Sequence, residues 1–458
     1  MSDDNQLKRS LGSVMLWGLG VGYVISGMYF GWNLGLAEAG SLGLAIATGF
    51  VIVMYVTFTL SYTELACSMP SAGGAFVYAN KALGKQLGFL AGMAQNIEFI
   101  FCPPAIAAAI GAYFKLFLPE SWMEGSYAIF GMTITQEALI TLGIAMVAYA
   151  IFTLINILGV ESAATFELIV TVIAVAGLIL FASVSLPEFK ISNLKANALP
   201  NGYLGVFAAI PFAMWFFLAI ECLANVAEET INPQKKMVVG FSSAIFTLVL
   251  LCILTFSSAV GVGGWEKVVY NAAGEAQDSP LPMAIEAILG KDHLIYTLLI
   301  GIGLVGLIAS FHGIILAAGR ATFEFGRVGY APKFLGKVHS KFKTPSNALV
   351  INALIGLIAL LSGRTGDIIT IACFGALTLY IISMLSLFKL RNDKAEMERP
   401  FKVPLYPVFP ALSIIISSIA LVAMAVYNKE VFVIYVGIML VAYVWFLFFG
   451  QKRTNSIN

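Results

Sequence analysis

Charge is what this sequence has least of. Only 11% of its 458 residues are Asp, Glu, Lys or Arg, where a soluble domain carries about 25%. So few ionic groups cannot cover a water-facing surface, and most of the exterior must face lipid. The formal net charge of +1 gives no footing for a nucleic-acid partner. Histidine is scarcer still. His293, His312 and His339 are too scattered for a histidine-box metal centre, and no serine–histidine–aspartate arrangement crosses the apolar runs. A membrane enzyme is therefore not expected, nor a resident cofactor. The five cysteines (Cys67, Cys102, Cys222, Cys252, Cys373) lack paired spacing and read as small buried hydrophobes rather than disulfides or metal ligands. Neither a filter motif nor a ring of like charge suggests a channel. A nutrient sensor usually adds a soluble signalling tail, and only short polar ends flank the apolar runs.

What is present is hydrophobic length. Apolar residues make up 59% of the chain and the mean hydropathy is +0.90. A membrane helix needs about 20 apolar residues. Runs of that kind fall at 11–37, 41–66, 86–114, 135–158, 163–186, 204–227, 237–262, 293–319, 346–362, 367–388, 407–427 and 431–450. The first is no cleavable leader, because it is long, glycine-interrupted and followed at once by another run. With the N-terminus inside, 19 lysines and arginines fall in inner segments and 7 in outer ones. The positive-inside rule then predicts twelve spans in a cell membrane with both termini cytoplasmic. The basic stretch 320–345 needs no nucleic acid to explain it, since topology accounts for it; contact with anionic lipid would be generic there.

Two spans are damaged as helices. The first holds Gly18, Gly20, Gly22, Gly27, Gly31 and Gly35, with the weakest helix around Val24–Met28. No strand precedes Gly18-Leu19-Gly20-Val21-Gly22, so it is not a dinucleotide loop. The sixth carries Glu221 inside an apolar run. Irregular backbone at membrane depth survives only where it is buried or lines a cavity, although close helix packing also uses glycine. Breaks at matching positions of two halves point to a transporter's binding site. Spans 1 and 6 are five apart, and an odd repeat of five inverts the second copy. The expected fold is all-α: one transporter domain over 1–458, with inverted five-helix repeats at 11–186 and 204–388 and two further helices over 407–450.

Several motifs carry a family resemblance. GYVISGMYF (Gly22–Phe30) resembles the glycine-rich first helix of the amino acid–polyamine–organocation superfamily. PSAGGAFVY (Pro70–Tyr78), WFFLAIECLANVAEETINPQ (Trp215–Gln234), the stretch Ala309–Ala348 and ERPFKVPLYPVFPAL (Glu398–Leu412) resemble its later motifs in the same order. SGMYFGWN (Ser26–Asn33), IEFIFCPPAIA (Ile97–Ala107), AIPFAMWFFLAIE (Ala209–Glu221) and ASFHGII (Ala309–Ile315) look most like ethanolamine permeases. Relatives often carry an acid in the first helix where this chain has Met28. The resemblance implies a secondary transporter of ethanolamine or a similar amine; an amino acid permease is the alternative. Substrate would sit between unwound parts of spans 1 and 6 while helices 1, 2, 6 and 7 rock against a scaffold.

The expected substrate site is Ile25, Ser26, Gly27, Met28 and Tyr29 with Trp215, Phe216, Phe217, Leu218, Ala219 and Ile220. Unpaired backbone groups at 25–28 and 217–220 would bind polar groups, and Trp32 and the other aromatics would cage an ammonium. Glu98 and Glu221 are the acids expected to meet the amine; a carboxyl that merely ties helices together is the structural alternative. Glu167 lies nearer the inner end. In some relatives a lysine in span 5 replaces a sodium ion, and 163–186 has none. Gly22, Ile25 and Ser310 offer hard oxygens for Na+, and His312 offers a proton site, so Na+, H+ and exchange stay open. Partners are a small amine or amino acid and the bilayer, with the chain a monomer or homodimer.

Overall fold

A computed structural model describes residues 9–129, 132–159 and 163–450. The first apolar run is built in pieces: α1 (Ser13–Gly22), the single turn α2 (Ser26–Tyr29) and the start of α3 (Trp32–Ser68). Inside α3, Gly40 (φ 68°) separates Trp32–Ala39 from Ser41–Ser68. A side chain there would also lie 2.6 Å from the Ala198 carbonyl oxygen, so glycine is required on two counts. α4 (Ala75–Leu83) and α5 (Lys85–Phe114) meet at Gly84. A small antiparallel hairpin follows, β1 (Ser126–Ile129) with β2 (Met132–Thr135). Thr135 then caps α6 (Gln136–Leu158) by accepting the Ala138 amide, and α7 (Ala163–Ser185) comes next.

The second half opens with α8 (Ile191–Lys195), α9 (Gly202–Ala208) and α10 (Ile210–Trp215). After a break, residues Ile220–Glu229 run as a 3₁₀ helix. α11 (Pro233–Gly263), α12 (Pro280–Leu289), α13 (Leu294–Arg327), α14 (Ser346–Leu360), α15 (Thr365–Asp393), α16 (Val408–Tyr427) and α17 (Lys429–Trp445) complete the chain. Among the described residues, 10 helices are long and apolar enough to cross a membrane. α1, with 10 residues, and α14, with 15, fall short of the about 20 that a lone crossing needs. The protein is thus an all-α, multi-pass membrane protein. α13 continues past the expected end at 319 as far as Arg327. An Arg327–Glu324 ion pair one turn apart (2.7 Å) ties its last turn, where a cation suits the helix end.

Exposure separates centre from rim. Residues 210–227 are all buried and most of α5 and α15 is too, whereas α6, α16 and α17 turn much of their surface outward. α5 and α15 touch almost backbone to backbone: a Cβ on Gly375 would lie 2.6 Å from the Ala94 carbonyl oxygen and 2.9 Å from the Glu98 amide. That approach fixes Glu98 at the centre. Pro103 and Pro104 follow inside α5, and each removes an amide hydrogen bond one turn back.

The two ends of the bundle differ. One holds Ser10, Glu64, Glu229, Arg320 and Arg391 and is called the basic face below; the hairpin and α12 mark the opposite, hairpin face.

Candidate functional site

The two interrupted runs meet. A Cβ on Gly27 would stand 2.2 Å from the Trp215 carbonyl oxygen and 3.1 Å from Phe216 Cα, so the first run lies directly on the backbone of the second. Ile25, Ser26, Met28, Tyr29, Trp215, Phe216, Phe217, Leu218, Ala219, Ile220 and Glu221 are all buried here. Trp32 stacks on Phe216 with ring centroids 5.6 Å apart, and Phe30 meets Trp215 edge-on at 5.4 Å.

The first break differs from expectation. The amides of Ile25, Gly27 and Met28 bond to the carbonyls of Val21, Val24 and Ile25, and the Ser26 amide donates to Ser310 Oγ at 2.9 Å. The amides at 25–28 are therefore paired. Helical backbone is lost further on, at Phe30 (φ −158°) and Gly31 (φ 87°). Gly31 is compatible with this φ, and a Cβ on it would strike the Trp215 indole at 2.5 Å. In the second run the break is at Ala219, a left-handed residue (φ 75°, ψ 14°) in front of the 3₁₀ helix. A non-glycine residue held there is local strain.

Glu98 of α5 and Glu221 of the 3₁₀ helix come together beside that residue. Their carboxyls interact directly, and the Ala219 amide lies against Glu98. Tyr380 of α15 donates to Glu221 Oε2 at 3.1 Å and sits 3.2 Å from the Tyr55 hydroxyl. Neither Glu98 oxygen nor Glu221 Oε1 meets a donor in full hydrogen-bond geometry. Two acceptor groups that face one another lack a donor between them, and a buried acid without one is costly. Such a pair can hold a proton or a cation. The sequence reading missed Tyr55 and Tyr380; tyrosine in a membrane helix looks like packing until a carboxyl is placed beside it.

Glu167, His312, Gly22 and Ser310 form a second cluster nearer the basic face. His312 Nδ1 lies 3.6 Å from Glu167 Oε2, and a Cβ on Gly22 would fall 2.5 Å from Glu167 Oε1. Both Glu167 oxygens and His312 Nδ1 lack a full hydrogen-bond partner. A cavity of about 50 Å³ runs from these groups past Tyr23 to Glu229 and Arg320. The expected hard-oxygen ligands are engaged: Ser310 Oγ donates to the Gly22 carbonyl at 2.6 Å, and the Ile25 carbonyl accepts the Met28 amide; close by, Thr171 Oγ1 donates to the Gly18 carbonyl. No group of three or more metal-ligating side chains occurs among the described residues.

Tyr29 is engaged by the surrounding helices. Its hydroxyl donates to the Ala174 carbonyl at 2.7 Å, and its own carbonyl accepts Tyr113. Its ring packs where Gly303 and Gly306 leave room. Tyr29 is a wedge between α5, α7 and α13 rather than a cage wall. Trp215 Nε1 is buried without a partner, so it keeps a free donor near the first break.

Both faces are tied down around these clusters. On the basic face, the amides of Ser10 and Leu11 donate to the Glu229 carbonyl, and Arg320 pairs with Glu229 at 2.9 Å. Ala72 is held by Glu228 and Asn225. On the hairpin face, Asn33 Nδ2 donates to the Gln277 carbonyl at 2.7 Å, Lys115 pairs with Glu137 and Gln277, and Thr365 donates to Asp278 at 3.0 Å. Burial pushes the Asp278 carboxyl up, against the pull of Thr365 and Lys115.

Two broken helices crossing at the centre of an all-α bundle, with incompletely satisfied acids beside the crossing, are the marks of a solute carrier. Comparison with known proteins agrees. The family profile described as amino acid permease matches residues 11–449. This chain belongs to the amino acid permease family. Over 98% of its length the permease is 27% identical to an uncharacterized transporter of Rhizobium meliloti (strain 1021), covering 94% of that protein. It is 26% identical to the branched-chain amino acid permease BcaP of Bacillus subtilis (strain 168), over 100% of this chain and 96% of the relative. A methylthioribose transporter of the same bacterium is 26% identical over 90% of this chain and 87% of its own length.

Proposed function

We propose that this permease is a secondary transporter that carries a small α-amino acid across the cell membrane by alternating access. The observation that carries the reading is the buried Glu98–Glu221 pair beside the left-handed break at Ala219. A substrate ammonium supplies the donor that these acceptors lack, and the free Trp215 N–H is a donor for a carboxylate. The named relatives, which include a branched-chain amino acid permease and a serine/threonine exchanger, support an amino acid. Ethanolamine is the second reading. An excess of carboxyls over donors favours a substrate with an ammonium and no carboxylate.

The mechanism follows from the ties on each face. Release of Asn33 and Lys115 from the 277 region opens the hairpin face; release of Arg320 and the Ser10–Leu11 segment from Glu229 opens the basic face. In this reading the basic face is cytoplasmic, since most lysines and arginines gather there. Ten of the twelve spans form inverted repeats over 11–186 and 204–388, and 407–450 adds the other two. Proton coupling through Glu167 and His312 fits better than sodium. A proton completes their contact, whereas of the oxygens expected to hold Na+ the Gly22 carbonyl already accepts the Ser310 hydroxyl and the Ile25 carbonyl the Met28 amide.

The test is uptake into proteoliposomes, competed by a panel of amino acids and short amines under separate pH and sodium gradients. Competition by one class of amino acids, driven by the pH gradient, is the expected result. Competition by ethanolamine and not by zwitterions selects the second reading. Stimulation by sodium alone removes the proton assignment.

A further inference from the structure

Two apolar grooves open on the lipid-facing surface, and their flanks differ in charge. The first, about 700 Å³, lies between α5, α17 and the loop after α13. Met93, Ala331, Pro332, Ile438, Val441 and Ala442 are among its lining residues. Its floor is aromatic: Phe89 stacks on Phe446 at 4.3 Å, and Tyr330 meets Phe446 at 5.2 Å. The second, about 780 Å³, lies between α3, α9 and α16. No charged residue stands within three sequence positions of any residue that lines it.

The first groove ends in a strongly basic loop. Residues 328–345 carry Lys333, Lys337, Lys341 and Lys343 and no acid. The loop folds back on the end of α13, because Gly336 packs backbone to backbone on Gly326 and Arg327. Tyr330 also donates to the Lys85 carbonyl at 3.4 Å, which holds the start of the loop on α5. Lys333, next to the lining residue Pro332, is exposed, as is Lys337; neither forms an ion pair among the described residues. Arg327, by contrast, is neutralised by Glu324. Phe334 and Val338 are exposed beside these lysines, the pairing of apolar and cationic groups that suits a membrane interface.

We propose that this groove is a binding site for an anionic phospholipid, with an acyl chain along α5 and α17 and the phosphate on Lys333 and Lys337. The charge argues for a lipid over a second copy of the chain, which would bring the same lysines into opposition only if packed symmetrically about this loop. The second groove takes acyl chains without selecting a headgroup.

Two glycines make the test clean. Gly437 lines the first groove and Gly49 the second, and a Cβ on either meets nothing within 4 Å. The full chain is reconstituted with equal phosphatidylglycerol and phosphatidylcholine, re-extracted into detergent, and its retained lipid weighed by native mass spectrometry. Wild type should retain phosphatidylglycerol over phosphatidylcholine by about tenfold or more. Gly437→Phe should cut that retention at least about fivefold and Gly49→Phe should leave it unchanged. The double variant Lys333→Gln/Lys337→Gln should erase the headgroup preference while keeping some lipid bound, and it decides the matter if Gly437→Phe does not fold. Equal retention of the two lipids by wild type overturns the proposal. So does retention indifferent to Gly437→Phe, or a Gly437→Cys variant that cross-links to itself in the bilayer.

Discussion

Glu64 and Glu98 are both buried acids, and they live in opposite circumstances. Glu64, 1% exposed, accepts Arg391 Nε at 2.8 Å and the Val403 amide at 2.8 Å, with Arg399 3.4 Å away. Arg391 also lies over the Tyr406 ring. Every need of that carboxylate is met, so its role is to tie α3 to the segment after α15. Glu64→Gln leaves two arginines short of a counter-charge and should lower stability by about 3 kcal/mol or more, read as a fall in melting temperature. Glu98 has no such set of donors, which is why it is assigned to solute. Gly27 belongs to packing rather than to open space: Gly27→Ala forces its new methyl against the Trp215 carbonyl. A cost of about 1–3 kcal/mol and a loss of uptake are expected. Full uptake by Gly27→Ala would show that the crossing has slack.

At the scale of elements, the broken first run is held by one hydroxyl. Ser310 bridges the Gly22 carbonyl and the Ser26 amide, and Ser310→Ala strands both, at about 1–3 kcal/mol. Thermal denaturation with and without substrate checks this. The loop before α12 has its own switch. Burial holds the Asp278 carboxyl above the ordinary range, so its docked form prefers the proton. Its contribution to stability is complete below the ordinary carboxylate value of about 3.9 and is lost as pH rises through the raised value. Asp278→Asn should flatten the dependence of melting temperature on pH above about 4, and an unchanged slope would exclude Asp278.

How far the sequence could be read follows from the same elements. Long apolar runs forecast α5, α6, α7 and α11 closely, because hydropathy needs no partner. Glycine spacing pointed to the first run, yet it put the weak point at Val24–Met28. The amides of Ile25, Gly27 and Met28 pair with carbonyls three or four residues back, and that of Ser26 depends on Ser310, 284 residues away, which no local pattern contains. Glu98 and Glu221 stood out as acids at depth, but their meeting depends on the close approach of α5 and α15. The hairpin and α12 lie in polar connections where periodicity is weak.

For the whole molecule, the account requires that the centre be closed from both faces and open to one at a time. Cys222, fully buried next to Glu221, reports this. In a variant that keeps only this cysteine, Arg320→Gln should speed alkylation by a reagent added from the basic face several-fold, since the Glu229 tie is gone. An unchanged rate would mean that the Ser10–Leu11 segment seals that face alone.

The most direct test is equilibrium binding of the transported solute to purified wild-type and Glu98→Gln protein, alongside their melting temperatures. The account predicts at least about a tenfold loss of affinity, about 1.4 kcal/mol, at an unchanged melting temperature. Equal affinity would contradict it and leave the Glu98–Glu221 pair as a tie between helices.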